Sequence, residues 1–384
     1  MHKPGLVILL FTTVLLAACG GGDSPPPPAP TQAPPPPITP QAGTMEELGR
    51  ALFFDANLSQ PAGQACASCH DPAAGFADPD QGSPTSEGAV AGRFGGRNAP
   101  TAAYAFLSPA FAFTSDPADP LTLFYQGGQF LDGRALDLVE QARGPFLNPI
   151  EMNNPDKAAV VNKVRNSSYA GIFVYLFGAN AFDDVDTAYD NIAAAIAEFE
   201  KSAEMNPFSS RFDAYQAGLV TLTAQEALGL DVFRNKGKCA GCHTIPDVLP
   251  NPTAPPASFT NFRYFNLGVP KNPNNPFYTQ DPAFNPDGAS FVDYGLGGAV
   301  KVAAENGKFK TPTLRNIALT APYMHNGVFN TLEEVVDFYN DNSVFTPEVD
   351  NDITPDVGGL DLTPEEKAAL VAFLKMLTDG YTVP

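Results

Sequence analysis

Tryptophan is absent from this 384-residue chain, histidine occurs four times and cysteine five times. With no indole anywhere, a redox relay through tryptophan is excluded. Basic residues are also scarce: 22 Lys and Arg stand against 42 Asp and Glu, a formal net charge of -20. That balance argues against nucleic acid, whose phosphates demand a basic face. It suits a basic, diffusible protein partner, or simply keeps the chain soluble. Apolar runs are short as well. Leu6 to Ala18 is the candidate, and it is too brief for an ordinary membrane span.

What is present begins with Lys3 and that apolar run, which together read as a targeting segment over residues 1–18. It closes on Leu16-Ala17-Ala18-Cys19, which resembles the bacterial lipobox and implies cleavage before Cys19 and lipidation of its thiol. A plain signal peptide with an incidental cysteine is the alternative. Gly20, where an aspartate is absent, points toward the outer membrane. The expectation is an exported protein at the periplasmic face, anchored by acyl chains and not spanning. Residues 19–44 include two runs of four prolines and form an extended tether. The fold is expected from Met45 onward.

The remaining cysteines form two C-x-x-C-H units, Cys66-Ala67-Ser68-Cys69-His70 and Cys239-Ala240-Gly241-Cys242-His243. Two thiols at this spacing can each add to a haem vinyl group, and the next residue then lies under the iron as its proximal ligand. A thioredoxin-like dithiol needs neither the histidines nor a second copy, and a zinc site built from both pairs has histidines to spare. Two covalently bound haems c are therefore expected. His2 falls in the targeting segment, so only His325 is left beyond His70 and His243. Both irons cannot be bis-histidine.

The 39 prolines and 33 glycines predict short helices and long loops. Helices are expected over Met45–Asp55 and Asp183–Met205. Three more start at Thr223/Glu226, Thr331/Glu334 and Thr363/Glu366, where a hydroxyl and a carboxylate form capping boxes. Pro364 stands at the favoured first position of the last. Residues 71–119 and 245–300 read mostly as loop. The layout of helix, haem motif and helix occurs twice, which predicts a mainly α fold of two cytochrome c-like domains, 45–206 and 207–384, each carrying one haem.

Several segments together resemble the bacterial dihaem cytochrome c peroxidase family, including its MauG branch. They are Leu48-Gly49-Arg50, Arg97-Asn98-Ala99-Pro100-Thr101, Asp132-Gly133-Arg134, Asn148-Pro149-Ile150-Glu151-Met152, Asn266-Leu267-Gly268-Val269-Pro270, Phe309 to Asn316, and Ala321 to Gly327. The resemblance runs from about Met45 to the C-terminus. It implies that hydrogen peroxide is reduced at the N-terminal haem, with electrons from a small cytochrome or cupredoxin passing through the C-terminal haem. Glu151 stands at the position of the family's distal acid-base carboxylate, and Gln141 at that of its distal glutamine. Taken alone, Glu151 reads rather as a surface acid in a turn after Pro149.

No histidine occurs between His70 and Asn98, so the first iron is expected to rest with an open or water-filled site. At the second haem the resemblance places Tyr339, fourteen residues after His325, as sixth ligand in the manner of the MauG branch. A core aromatic, with Met324 or nothing on the iron, is the alternative. The resemblance further implies a calcium ion held by the Asn98 side chain and the carbonyls of Thr320 and Pro322, and a propionate or supporting role for Arg315 and His325. One departure stands out: Leu131 replaces the tryptophan that precedes Asp-Gly-Arg in the family. Three functions remain open: a peroxidase, a MauG-like oxidase of a partner protein or organic substrate, and a non-catalytic electron carrier.

Overall fold

Glycine sets the helix packing in both halves of the chain. In the computed structural model, which describes residues 38–383, α1 (Met45–Phe53) begins on a capping box between Thr44 and Glu47. It buries Leu48, Gly49, Leu52 and Phe53, the face its 3.6-residue spacing predicts. Four helices follow: α2 (Leu138–Leu147), α3 (Lys157–Arg165), α4 (Ala170–Phe177) and α5 (Val185–Phe199). α1 crosses α5 at Gly49, where any side chain would strike the Ala195 carbonyl. Beside the crossing, the Phe53 and Phe199 rings meet edge-on at 5.3 Å.

The second half repeats this arrangement. After α6 (Arg211–Gln216), α7 (Ala224–Arg234) starts on the predicted Thr223/Glu226 box. α8 (Gly295–Val300) is short, α9 (Leu332–Asn340) opens on Thr331/Glu334, and α10 (Pro364–Lys375) opens on Thr363/Glu366. α7 crosses α10 at Gly229, where a side chain would strike the Ala369 carbonyl. Phe233 and Phe373 pack there at 5.0 Å. The only sheets among the described residues are small antiparallel pairs. β1 (Ala112–Ser115) pairs with β2 (Leu123–Gln126), and β3 (Tyr264–Phe265) with β4 (Phe309–Lys310).

The molecule is thus mainly helical. One apolar core gathers residues from Leu48 to Met205 and a second gathers residues from Phe212 to Leu377. Both lie within a single compact unit, Ile38–Pro384, which is not divided further. Two expectations are corrected. The predicted helix over Asp183–Met205 ends at Phe199, because the chain turns at Glu200 to Ser202. The folded body also starts before Met45: Ile38 packs on the first core, and Gln41 N–H donates to Gly171 O at 2.9 Å. The targeting segment, Cys19 and most of the tether lie outside the described residues. No helix among the described residues is long and apolar enough to cross a membrane.

Candidate active site

Each C-x-x-C-H motif folds as a tight turn that aims its histidine inward. His70 N–H bonds Cys66 O at 3.0 Å, and His243 N–H bonds Cys239 O at 2.8 Å. His70 Nδ1 faces Phe76 O at 3.2 Å, and His243 Nδ1 faces Phe259 O at 2.9 Å. Both phenylalanines hold left-handed backbone, φ 59° and 54°, which turns their carbonyls toward the imidazoles. A threonine hydroxyl braces the preceding residue in each copy: Thr101 Oγ1 donates to Gly75 O at 2.6 Å, and Thr313 Oγ1 to Ser258 O at 2.8 Å. A proton held on Nδ1 in this way leaves the Nε2 lone pair free for a metal. Burial lowers the pKa of both rings, that of His243 to about 4. They are neutral imidazoles, the ligating form.

The four thiols are unbridged. Burial pushes Cys66 and Cys239 up to about 12 and Cys69 and Cys242 up to about 11. A dithiol exchange centre needs a stabilised thiolate, so this environment disfavours the thioredoxin-like alternative. Each motif lines a cavity of its own, about 490 Å³ at His70 and about 300 Å³ at His243, both walled mainly by carbon. A largely apolar slot with two thiols at its edge and an imidazole lone pair fits a c-type haem.

Glu151 and Gln141 line the His70 cavity, as expected. Gln141 projects from α2, whose first turn is capped by the Asp137 carboxylate. Glu151 follows in a turn where its N–H donates to Asn148 O at 3.1 Å, while Asn148 Nδ2 donates to its Oε1 at 2.9 Å. Ala89 N–H clamps Glu151 O at 2.7 Å. Burial raises the Glu151 pKa, opposed by the Arg134 charge and the Asn148 hydrogen bond. The group is therefore not a freely solvated surface acid. Sequence reasoning missed Glu200 in the same cavity. It is 5% exposed, its Oε2 has no partner among the described residues, and burial pushes it up to about 8. Its place within an apparently amphipathic helix concealed it.

Tyr339 and Met324 both line the His243 cavity. Burial raises the Tyr339 phenol well above its ordinary value. His325 lines it too, its ring stacked on Phe309 at 3.8 Å and its Nε2 3.7 Å from Glu348. Arg315 does not line either cavity. It is 1% exposed, with its guanidinium bound to both Asp213 oxygens at 2.7 and 3.0 Å and its Nε donating to Ala257 O. Of the two roles expected for Arg315, a propionate contact or a supporting one, this buried ion pair behind the wall is the geometry of the second.

Asn98, Thr320 and Pro322 share the wall of the His243 cavity. No cluster of three or more His, Cys, Asp or Glu suited to a metal occurs among the described residues. A cation there would rely on neutral oxygens, which suits calcium better than a transition metal. Asn98 to Thr101 and Gln129 to Leu131 line both cavities. Leu131, in place of an aromatic ring, therefore stands in the partition.

Two motif-bearing cavities in a helical body with an internal repeat define a dihaem c-type protein. Residues 44–221 match the family model described as di-haem cytochrome c peroxidase. The chain is 39% identical over 382 residues to the methylamine utilization protein MauG of Paracoccus denitrificans, spanning 90% of this chain and 94% of that protein. It is 31% identical to the cytochrome c551 peroxidase of Nitrosomonas europaea, over 89% and 82% of the two chains. The crystal structure of the diheme peroxidase BthA from Burkholderia thailandensis superposes with a TM-score of 0.75 at 34% identity, covering 89% of this chain and 87% of that one. The chain belongs to the di-haem cytochrome c peroxidase family, whose members are oxidoreductases acting on peroxide.

Proposed function

We propose that the protein is a dihaem peroxidase that reduces hydrogen peroxide in the His70 cavity, with electrons delivered through the His243 cavity by a small redox protein. The observation that carries this reading is the meeting of His70, Glu151 and Gln141 around one cavity. The haem, when bound, supplies the redox iron through which peroxide receives two electrons. The balance is H2O2 + 2 e⁻ + 2 H⁺ → 2 H2O, so protons must reach a site walled by carbon. Glu151, its pKa raised by burial, takes a proton at a carboxylate oxygen and returns it to the departing oxygen of peroxide. Gln141 orients peroxide or water through its amide. An electron carrier would have no use for a buried acid in the cavity that would hold the iron.

The alternative, a MauG-like oxidase of a partner protein or organic substrate, is favoured by Tyr339 in the His243 cavity, since a phenolate ligand stabilises oxidised iron. Leu131 counts against it. An aliphatic side chain cannot be oxidised, and Phe130, which also lines both cavities, is a far poorer electron relay than an indole or a phenol. Charge sharing between the haems therefore has no tryptophan or tyrosine stepping stone there. The two halves are read as cytochrome c-like domains, 45–206 and 207–384. Calcium at Asn98, Thr320 and Pro322 would brace their shared wall. Export, lipidation at Cys19 and an outer-membrane anchor at the periplasmic face complete the reading.

The test is steady-state peroxide reduction with a reduced small cytochrome as donor, in wild type and Glu151→Gln. The reading expects donor-dependent turnover that collapses in the variant while both haems stay attached. Unchanged turnover in Glu151→Gln removes Glu151 from the mechanism. Absence of turnover in the wild type overturns the peroxidase reading and leaves the oxidase and the electron carrier.

A further inference from the structure

Charge around the His243 cavity is nearly all compensated by the chain itself. Asp293 is gripped by Arg97 at 2.6 Å and Asp356 lies 3.5 Å from Lys238, while Glu348 faces the His325 ring at 3.7 Å. Lys310 on β4 is the lysine in this wall without a carboxylate partner among the described residues. It lines the cavity, yet its ammonium contacts only the Gly128 carbonyl and forms no ion pair among the described residues. The carboxylate it feels is Asp132, and that group is already held by Arg97 at 2.7 Å and Arg134 at 2.9 Å. Burial accordingly pushes Lys310 down to about 7.

An ammonium has three donors, so two of them remain for something the polypeptide does not provide. A buried cation of this kind needs an anion. Haem brings two carboxylates, which an apolar cavity cannot solvate. Arg315 is fully committed to Asp213. Lys310 also sits at the partition: its backbone N–H donates to Leu131 O at 2.8 Å, and Leu131 lines both cavities.

We infer that Lys310 is the cation that binds a haem propionate in the His243 cavity, fixing that carboxylate at the wall shared with the His70 cavity. The inference rests on the two-haem reading. Its consequence is electrostatic. A positive charge beside the porphyrin favours the iron state with less positive charge, so Lys310 raises the midpoint potential of the second haem and eases electron delivery to it from a donor.

The experiment uses the haem-loaded protein and compares wild type with Lys310→Met, Lys310→Gln and Lys310→Arg. Spectroelectrochemical titration follows both haems, and resonance Raman follows the propionate bending vibration. The two neutral variants should lower the potential of the second haem and shift its propionate band, with little change at the first haem. Arginine should restore both readings. Lys310→Gln, which keeps a hydrogen-bond donor, serves if Lys310→Met does not load haem. Neutral variants that retain the wild-type potential and propionate band overturn the inference. Haem content is measured separately: fewer than two haems per wild-type chain would sink the two-haem reading, whatever Lys310 does.

Discussion

The two C-x-x-C-H cavities share a scaffold and differ in chemistry. Both hang from a helix pair crossing at a glycine, Gly49 of α1 against α5 and Gly229 of α7 against α10. Both brace the histidine through a phenylalanine carbonyl. The polar groups around the pockets then diverge. The His70 cavity gathers Glu151 and the unpartnered Glu200 with the amide of Gln141, while the His243 cavity presents Tyr339, Met324 and Lys310 beside the acids Asp293, Glu348 and Asp356. A buried acid serves proton movement, whereas a phenol and an uncompensated cation adjust the electronic balance of an iron. The repeated part of the fold therefore positions a haem, and the unrepeated part decides what it does.

The sharpest way to break this contrast is Glu151→Gln. Loss of a positioned acid-base group costs about 10²- to 10⁴-fold in rate. Peroxide turnover should fall by that order while the midpoint potential of the second haem stays put. A fall in both would mean that the cavities are not separate in function.

Next in size are Gly49→Ala and Gly229→Ala. Each forces a methyl group into a facing carbonyl, and overpacking of this kind costs about 1–3 kcal/mol. Chemical denaturation of the two haem-loaded variants should show comparable losses. A loss confined to one would show that the crossings are not equivalent.

The smallest effect concerns Glu200. Its ordinary value is 4.5, and burial pushes it up to about 8. The folded state therefore keeps a proton that the unfolded chain releases. The associated stability is fully present below about pH 4.5 and is lost as pH rises toward about 8. Glu200→Gln should flatten the decline in denaturation midpoint between pH 5 and pH 8. An unaltered slope would show that Glu200 is not the group responsible.

Much of this was legible in the residues. The haem motifs gave the cavities, and three hydroxyl-carboxylate pairs gave the starts of α7, α9 and α10, because capping is local chemistry. Glu151 needed a family resemblance, since its burial arises from packing of Asn148 and Ala89 that no local pattern encodes. The helices α3 and α4 went unread, and α2 was hidden by Pro145 near its end. Arg315 was left between two roles for a related reason. A lone arginine in a conspicuous motif looks available, and only the fold brings Asp213 onto it. Lys310 is the converse, an unremarked lysine on a two-residue strand whose missing partner shows only when every neighbouring charge has been paired.

The account depends most on an accessible iron above His70. Electron paramagnetic resonance of the oxidised protein as isolated, before and after cyanide, tests this directly. The expected result is a high-spin ferric signal that cyanide converts to low spin, beside a low-spin signal that cyanide leaves alone. Two low-spin signals, both indifferent to cyanide, would contradict it.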